Sequence, residues 1–431
     1  MQTIKIFLAS SEELDYYRMA FGNLVRRLDD MYEKRGVRIK LFEWEDYDAA
    51  YNDRRKQDEY NDFARKSDLF IALFYTKANE FTVEEFNVAL DEYNSKKAPK
   101  IYVYCKDTTD ETVSQNLIDF QKRLSNELQY YWCRFDNRES LQFHFVMQLQ
   151  LMENDRIEDL KIKDGTVTFK GLHIAKIENL KFAAANEKYQ KMREELAGLP
   201  EKIEKTRKLF NKFPKDKDLE EDLQQTINRY NKLKEDFEMH QQLLFNTAKR
   251  VAQLQGKRIT ERMRRAMDAL NEGKVHMANI ILDDAEEDAY RNLEEYRQSK
   301  EITEQKRQNL FCSIEELQLK ASTIMADTSI SAEKRIHQIE MIYTQADLIA
   351  QECDYDKEKH IKFLCEYIKS LYYNSRYVKA LEISERLIHL CQETYGKDHT
   401  NTLELYTIIS NIYLKLGNKT KAQEFLSIVQ E

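Results

Sequence analysis

A chain of 431 residues with 42% hydrophobic content is long enough for two to four domains with real cores, which excludes a disordered tail. Only nine Gly and three Pro stand against 33% charged residues, so long helices with solvated faces are expected to outweigh any all-β part. The net charge of -8 argues against a generic nucleic-acid or anionic-membrane binder, and the basic run at Arg262, Arg264 and Arg265 reads as a solvated helix face. The six cysteines lie far apart with no CxxC pair, so no zinc site or disulfide framework is expected, and the compartment should be reducing. The N-terminus begins directly as a strand, and no run approaches eighteen apolar residues, which suggests a soluble cytoplasmic protein.

Residues 1 to 152 alternate short apolar strands with amphipathic helices. Candidate strands are Ile4 to Ala9, Val37 to Phe42, Leu69 to Phe74, Lys100 to Cys105 and Tyr130 to Phe135. That alternation predicts an α/β domain with a five-stranded parallel sheet in flavodoxin-like order. The switch point then falls between the first and third strands, bringing Ser10 and Ser11 close to the loop from Tyr75 to Glu80. Glu85 follows in the next helix.

Residues 153 to 258 read as a spacer and a helical hairpin. Leu160 to Phe169 alternates around Asp164-Gly165, which predicts a β-hairpin packed on a neighbour, since an isolated one is barely stable. Phe182, Ala185, Tyr189, Met192, Leu196, Leu199 and Ile203 follow helical spacing, and Leu223, Tyr230, Phe237, Leu244 and Val251 repeat every seven residues. Two long antiparallel helices are expected, turning near Phe213 to Asp216.

Residues 259 to 431 repeat. Lys379-Ala380-Leu381-Glu382 recurs as Lys421-Ala422-Gln423-Glu424 at a period of 42. With Glu393 to His399 and Ile409 to Gly417, this resembles tetratricopeptide repeats (TPR) of the longer kinesin-light-chain type. A weaker copy covers Ile336 to Tyr373, and Met267 to Gly273 with Ala278 hints at an earlier one. Stacked helix pairs of this kind present an extended surface for a protein partner.

The strand-and-loop segment Ile4-Lys-Ile-Phe-Leu-Ala-Ser10-Ser11, the third strand opening Ser67-Asp68-Leu-Phe-Ile-Ala-Leu, and Phe81-x-x-x-Glu85-x-x-x-Ala89 resemble the Toll/interleukin-1 receptor (TIR) family in its divergent bacterial branch. The resemblance covers about a third of the chain. In enzymatic members an aromatic residue, usually Trp, stands four residues before the catalytic Glu; Phe81 takes that place here, and Glu85 takes the catalytic one. Glu84 is adjacent but points off that face. The charged loop Glu43-Trp44-Glu45-Asp46-Tyr47 departs from the common pattern.

The resemblance implies an NAD hydrolase or cyclase that cleaves the nicotinamide–ribose bond, with NAD as substrate and no cofactor or metal. Activation would come from self-association of TIR domains and from a protein trigger sensed by the repeats, in bacterial antiphage defence. Bond cleavage builds oxocarbenium-like charge on the sugar, for which a nearby carboxylate is the main need. A helix N-terminus would favour the ionised form of Glu85. Ser10 and Ser11 would hold ribose or phosphate oxygens, and Trp44 and Phe81 would stack on a base or flank the ribose.

Each residue also has a plainer role open to it. Glu85 fits a solvated helix-start acid, Ser10 and Ser11 fit a helix cap, and Phe81 and Trp44 fit packing residues. Asp68 suits ordering of the strand entry, and His144 and His399 suit structural positions. No GxGxxG, phosphate loop, GxSxG or HExxH occurs, which speaks against Rossmann dehydrogenase, P-loop ATPase, esterase and protease chemistry. Two other classes remain: a non-catalytic TIR adaptor with a repeat scaffold, and a nucleoside deoxyribosyltransferase-like enzyme, whose related fold also sets a Glu beside a ribose.

Overall fold

The computed structural model describes residues 2–42, 55–108, 113–128, 130, 132–154, 160–254, 257, 259–299 and 304–430. Its contacts divide the chain into Met1–Val275 and His276–Glu431.

In the first unit, strands β1 (Gln2–Ser10), β2 (Val37–Phe42), β3 (Leu69–Phe74), β4 (Lys100–Lys106) and β5 (Cys133–Phe135) form a parallel sheet in the order β2-β1-β3-β4-β5. Order reverses between β1 and β3, and this crevice at the carboxyl ends of the strands is where open α/β sheets place ligands. Helices α1 (Asp15–Glu33), α2 (Lys56–Lys66), α3 (Glu80–Lys96), α4 (Gln115–Lys122) and α5 (Arg138–Asn154) connect and flank the strands.

All six residues of β3 are buried, which is why Leu69-Phe-Ile-Ala-Leu-Phe74 reads as a continuous apolar run rather than an alternating one. One face of the sheet is closed by an aromatic core in which Phe7 stacks on Phe70 at 5.7 Å, and Phe86 of α3 meets Phe120 of α4 edge-on at 5.1 Å. Opposite it, Phe21 of α1 packs on Phe145 of α5 at 4.5 Å. Strand β5 pairs with β4 over Cys133 to Phe135, the second half of its apolar segment.

Beyond α5, β6 (Leu160–Lys163), β7 (Thr166–Phe169) and β8 (Leu172–Lys176) form an antiparallel meander rather than a two-stranded hairpin. Both turns use the same device. Asp164 and Gly165 take φ of 49° and 72°, and Lys170 and Gly171 take 49° and 86°, matching a two-residue turn with two left-handed positions. Phe169 is buried and stacks on Tyr32 of α1, so the meander gains its stability by docking on the sheet domain.

A short α6 (Lys181–Ala184) leads into the hairpin of α7 (Glu187–Lys212) and α8 (Lys217–Leu254), followed by α9 (Glu261–Asn271). The root of the hairpin belongs to the sheet unit: Phe245 packs on Phe143 at 5.7 Å, and Gln148 Nε2 donates to the Ala252 carbonyl at 2.7 Å. Asn186 caps α7 through the Tyr189 amide, and its Oδ1 also lies 3.0 Å from His240 Nε2 of α8.

The second unit is helical: α10 (Val275–Ile281, entering from the first unit), α11 (Ala285–Arg297), α12 (Glu304–Ala326), α13 (Ala332–Glu352), α14 (Lys357–Tyr373), α15 (Tyr377–Tyr395), α16 (Thr400–Lys415) and α17 (Lys419–Gln430). Ala380 and Ala422, fully or nearly fully buried, occupy the fourth position of α15 and α17, where a small side chain lets paired helices approach. Tyr343 of α13 stacks on Tyr367 of α14 at 4.6 Å, and Asp347 joins three helices by accepting from His360 Nε2 at 2.7 Å and Arg386 Nη2 at 2.5 Å. No described helix is long and apolar enough to cross a membrane.

Candidate active site at the carboxyl rim of the sheet

Helix α3 starts at an Asn79 cap, whose side chain accepts from the Phe81 amide at 3.1 Å. Its inward residues are Thr82, Glu85, Phe86 and Ala89, the spacing of an amphipathic helix laid on the sheet. Glu85 therefore occupies a core-facing position, 8% exposed, where an apolar residue is the ordinary choice. Helix α2 meets it with two amides on one face, Gln57 and Asn61. Gln57 Nε2 donates to Glu85 Oε1 at 2.9 Å.

The neighbouring acid is held differently. Arg55 Nη1 and Nη2 reach the two carboxylate oxygens of Glu84 at 3.1 Å each, and Asn61 Nδ2 donates to Oε1 at 2.8 Å. These hydrogen bonds draw Glu84 below its usual carboxylate range. Burial pushes Glu85 up to about 7, opposed by the Gln57 hydrogen bond and assisted by the charge of Glu84. Two adjacent carboxyls are thus separated in protonation by their surroundings.

The expectation that the helix N-terminus keeps Glu85 charged is corrected here. Glu85 is the sixth residue of α3, past the first turn, where the dipole contributes at most about 1 kcal/mol. A rise from 4.5 to about 7 corresponds to roughly 3 kcal/mol of burial cost, so burial wins.

Ser10 ends β1, paired with Leu73 of β3, and its hydroxyl is buried without a hydrogen-bond partner among the described residues. Ser11 is buried, and its side chain makes no capping bond to the short turn Glu12–Leu14; its Oγ donates instead to Glu13 Oε1 at 3.1 Å. Glu13 also accepts from the Thr76 hydroxyl at 2.6 Å and the Thr76 amide at 3.3 Å, so the loops after β1 and β3 are clasped together at the switch point. From the other side, Ser114 N donates to the Thr76 carbonyl at 2.8 Å and Asn116 Nδ2 to the Ala78 carbonyl at 2.9 Å. Lys106, ending β4, holds its ammonium 4.0 Å from the Tyr75 ring centre.

Phe81 lies in the first turn of α3 and is 45% exposed, available for contact rather than packed in the core. Trp44 lies outside the described residues. Asp68 Oδ2 accepts from the Lys5 amide at 2.7 Å, ordering the strand entry. His144 is buried, and desolvation lowers it to about 4, so it is neutral at physiological pH. His399 caps α16 through Nδ1 and stacks on Tyr395. Among the described residues no group of three or more His, Cys, Asp or Glu side chains is placed to hold a metal ion.

Gln57, Asn61, Glu13 and Thr76 escaped sequence reasoning. The signal for the first two was present: with Tyr60 and Ala64, they put amides on what would otherwise be the apolar stripe of α2. The Glu13–Thr76 clasp spans 63 positions and has no local signature.

A tetratricopeptide repeat family model matches residues 364–427, from within α14 to within α17, so this part of the chain carries TPR repeats. No TIR family match accompanies it. No curated protein matches the chain.

Proposed function

We propose that the N-terminal sheet domain is a TIR-type NAD hydrolase or cyclase. The observation that carries this reading is Glu85: a carboxyl group buried on the inward face of α3, held by one amide, in the helix that follows the β3 loop of the switch point. In its ionised form Glu85 steadies the cationic sugar as the C1′–nicotinamide bond breaks. Nicotinamide departs neutral with the bonding electron pair, and water or an adenine nitrogen closes on C1′. Ser10 and Ser11 supply hydroxyls beside the ribose, Phe81 offers an aromatic flank, and Lys106 sets a cation at the same rim for the phosphates.

The TPR repeats recognise a protein trigger, and self-association of sheet domains completes the active state, an arrangement suited to bacterial antiphage defence. The exposure of Phe81 favours one second reading, a non-catalytic adaptor that docks on other TIR domains through that rim.

Nicotinamide release from NAD by the full chain, with and without Glu85→Gln, separates the two. The enzyme reading expects release that the substitution reduces by at least a hundredfold while the fold is kept. Equal release by the folded variant removes Glu85 from its role. No release at high protein concentration, together with pairing to a separate TIR domain, selects the adaptor.

A further inference from the structure

Glu85 receives its hydrogen bond from a different helix, and the donor is itself buried. Gln57 is 7% exposed, sits in the first turn of α2, and sends Nε2 to Oε1 at 2.9 Å. An amide there leaves a helix face that otherwise buries Ala64 completely, so its desolvation is offset only by what it bonds. The acid and the arginine nearest in sequence to the pair are engaged with each other. Glu84, on the same helix as Glu85, is clamped by Arg55 and Asn61 of α2. Gln57 thus engages one oxygen of Glu85, Oε1, from the facing helix.

We propose that Gln57 is the positioning residue of this site: it fixes Glu85 Oε1, turns Oε2 toward the sugar, and favours the ionised carboxylate through a charge-assisted hydrogen bond. The proposal rests on the NAD-cleavage reading for its chemistry, although its geometry does not. A donor of fixed length and orientation lowers the freedom of the carboxylate and selects the oxygen that meets the developing charge. Gln57 itself touches no reacting atom.

Two readouts test this in the full-length protein. The first follows the ionisation of Glu85 through the pH dependence of unfolding free energy, each variant compared with its Glu85→Gln counterpart. The second follows the pH midpoint of nicotinamide release. Gln57→Leu, which keeps volume but removes the donor, is expected to move both midpoints upward by about one pH unit and to cut turnover at pH 7 about tenfold with KM retained. Gln57→Lys, which supplies a cationic donor, is expected to move both midpoints down. Neither change should alter the pH dependence once Glu85 is Gln. Unmoved midpoints in both variants, or stability losses equal at pH 5 and pH 9, overturn the proposal. The first readout needs no turnover, so shifting ionisation in a chain that never cleaves NAD sinks the reaction and leaves the positioning of Glu85 by Gln57 intact.

Discussion

A glutamate on the inward stripe of a helix sets two demands against each other: the helix needs its face buried, and the carboxylate needs water. At position 85 the fold resolves this by keeping the acid largely protonated until about pH 7. The sign of the linkage follows. The folded-state value lies above the unfolded 4.5, so the contribution of Glu85 to stability is whole below pH 4.5 and is lost as pH rises through about 7. Replacing it with Gln, which keeps the shape and the Gln57 contact, should raise unfolding free energy at pH 8 by roughly 3 kcal/mol and change little at pH 4. Urea unfolding at the two pH values checks this; an effect equal at both would show that Glu85 is already solvated. The helix that carries Glu85 was legible in the sequence, whereas the burial and protonation of this acid were not. Burial is a property of the packed α2–α3 pair, and nothing local in Phe81 to Ala89 encodes the approach of Gln57.

Elements were readable where pattern and turn chemistry agree. The segments Val37 to Phe42 and Leu69 to Phe74 form strands to the residue, and the Asp164-Gly165 turn closes β6 on β7 as its backbone requires. The third meander strand was missed although Lys170-Gly171 offers the same two-residue turn; the segment Leu172 to Lys176 is short, and its pairing with β7 is interrupted by a register shift. The chain leaves α9 through Gly273, with φ of 72°, packed so closely that an added Cβ would sit 3.0 Å from the carbonyl carbon of Ala185 and the amide nitrogen of Asn186. Gly273→Ala should therefore destabilise the first unit by about 2 kcal/mol or more, from left-handed strain plus the clash with backbone that caps α7. Denaturant midpoints test it. An unchanged midpoint would mean that this joint is loose.

At the scale of the whole molecule, the chain carries two units with separate cores, an α/β body and a helical array. The period of 42 that announced the repeats is realised by equivalent positions of α15 and α17, at which Ala380 and Ala422 are buried. Because each helix pair depends on its neighbours, Ala380→Leu should disrupt the array without touching the sheet. Calorimetry is expected to show a lowered transition for the array and an unmoved one for the sheet unit; a joint shift would indicate a single cooperative body. The earlier repeat hinted at by Met267 to Gly273 lies in α9 and its exit turn, which pack with the first unit, so small-residue spacing by itself did not reveal to which body that helix belongs.

The claim on which the functional account turns is that a buried Glu85 must ionise before the sugar–nicotinamide bond can break. It is tested most directly by the pH profile of kcat/KM for nicotinamide release, at protein concentrations that favour assembly. A plateau above about pH 7 and a tenfold fall for each pH unit below it are expected, with Glu85→Gln inactive throughout. A flat profile from pH 5 to pH 9, or activity that declines as pH rises through 7, would contradict it.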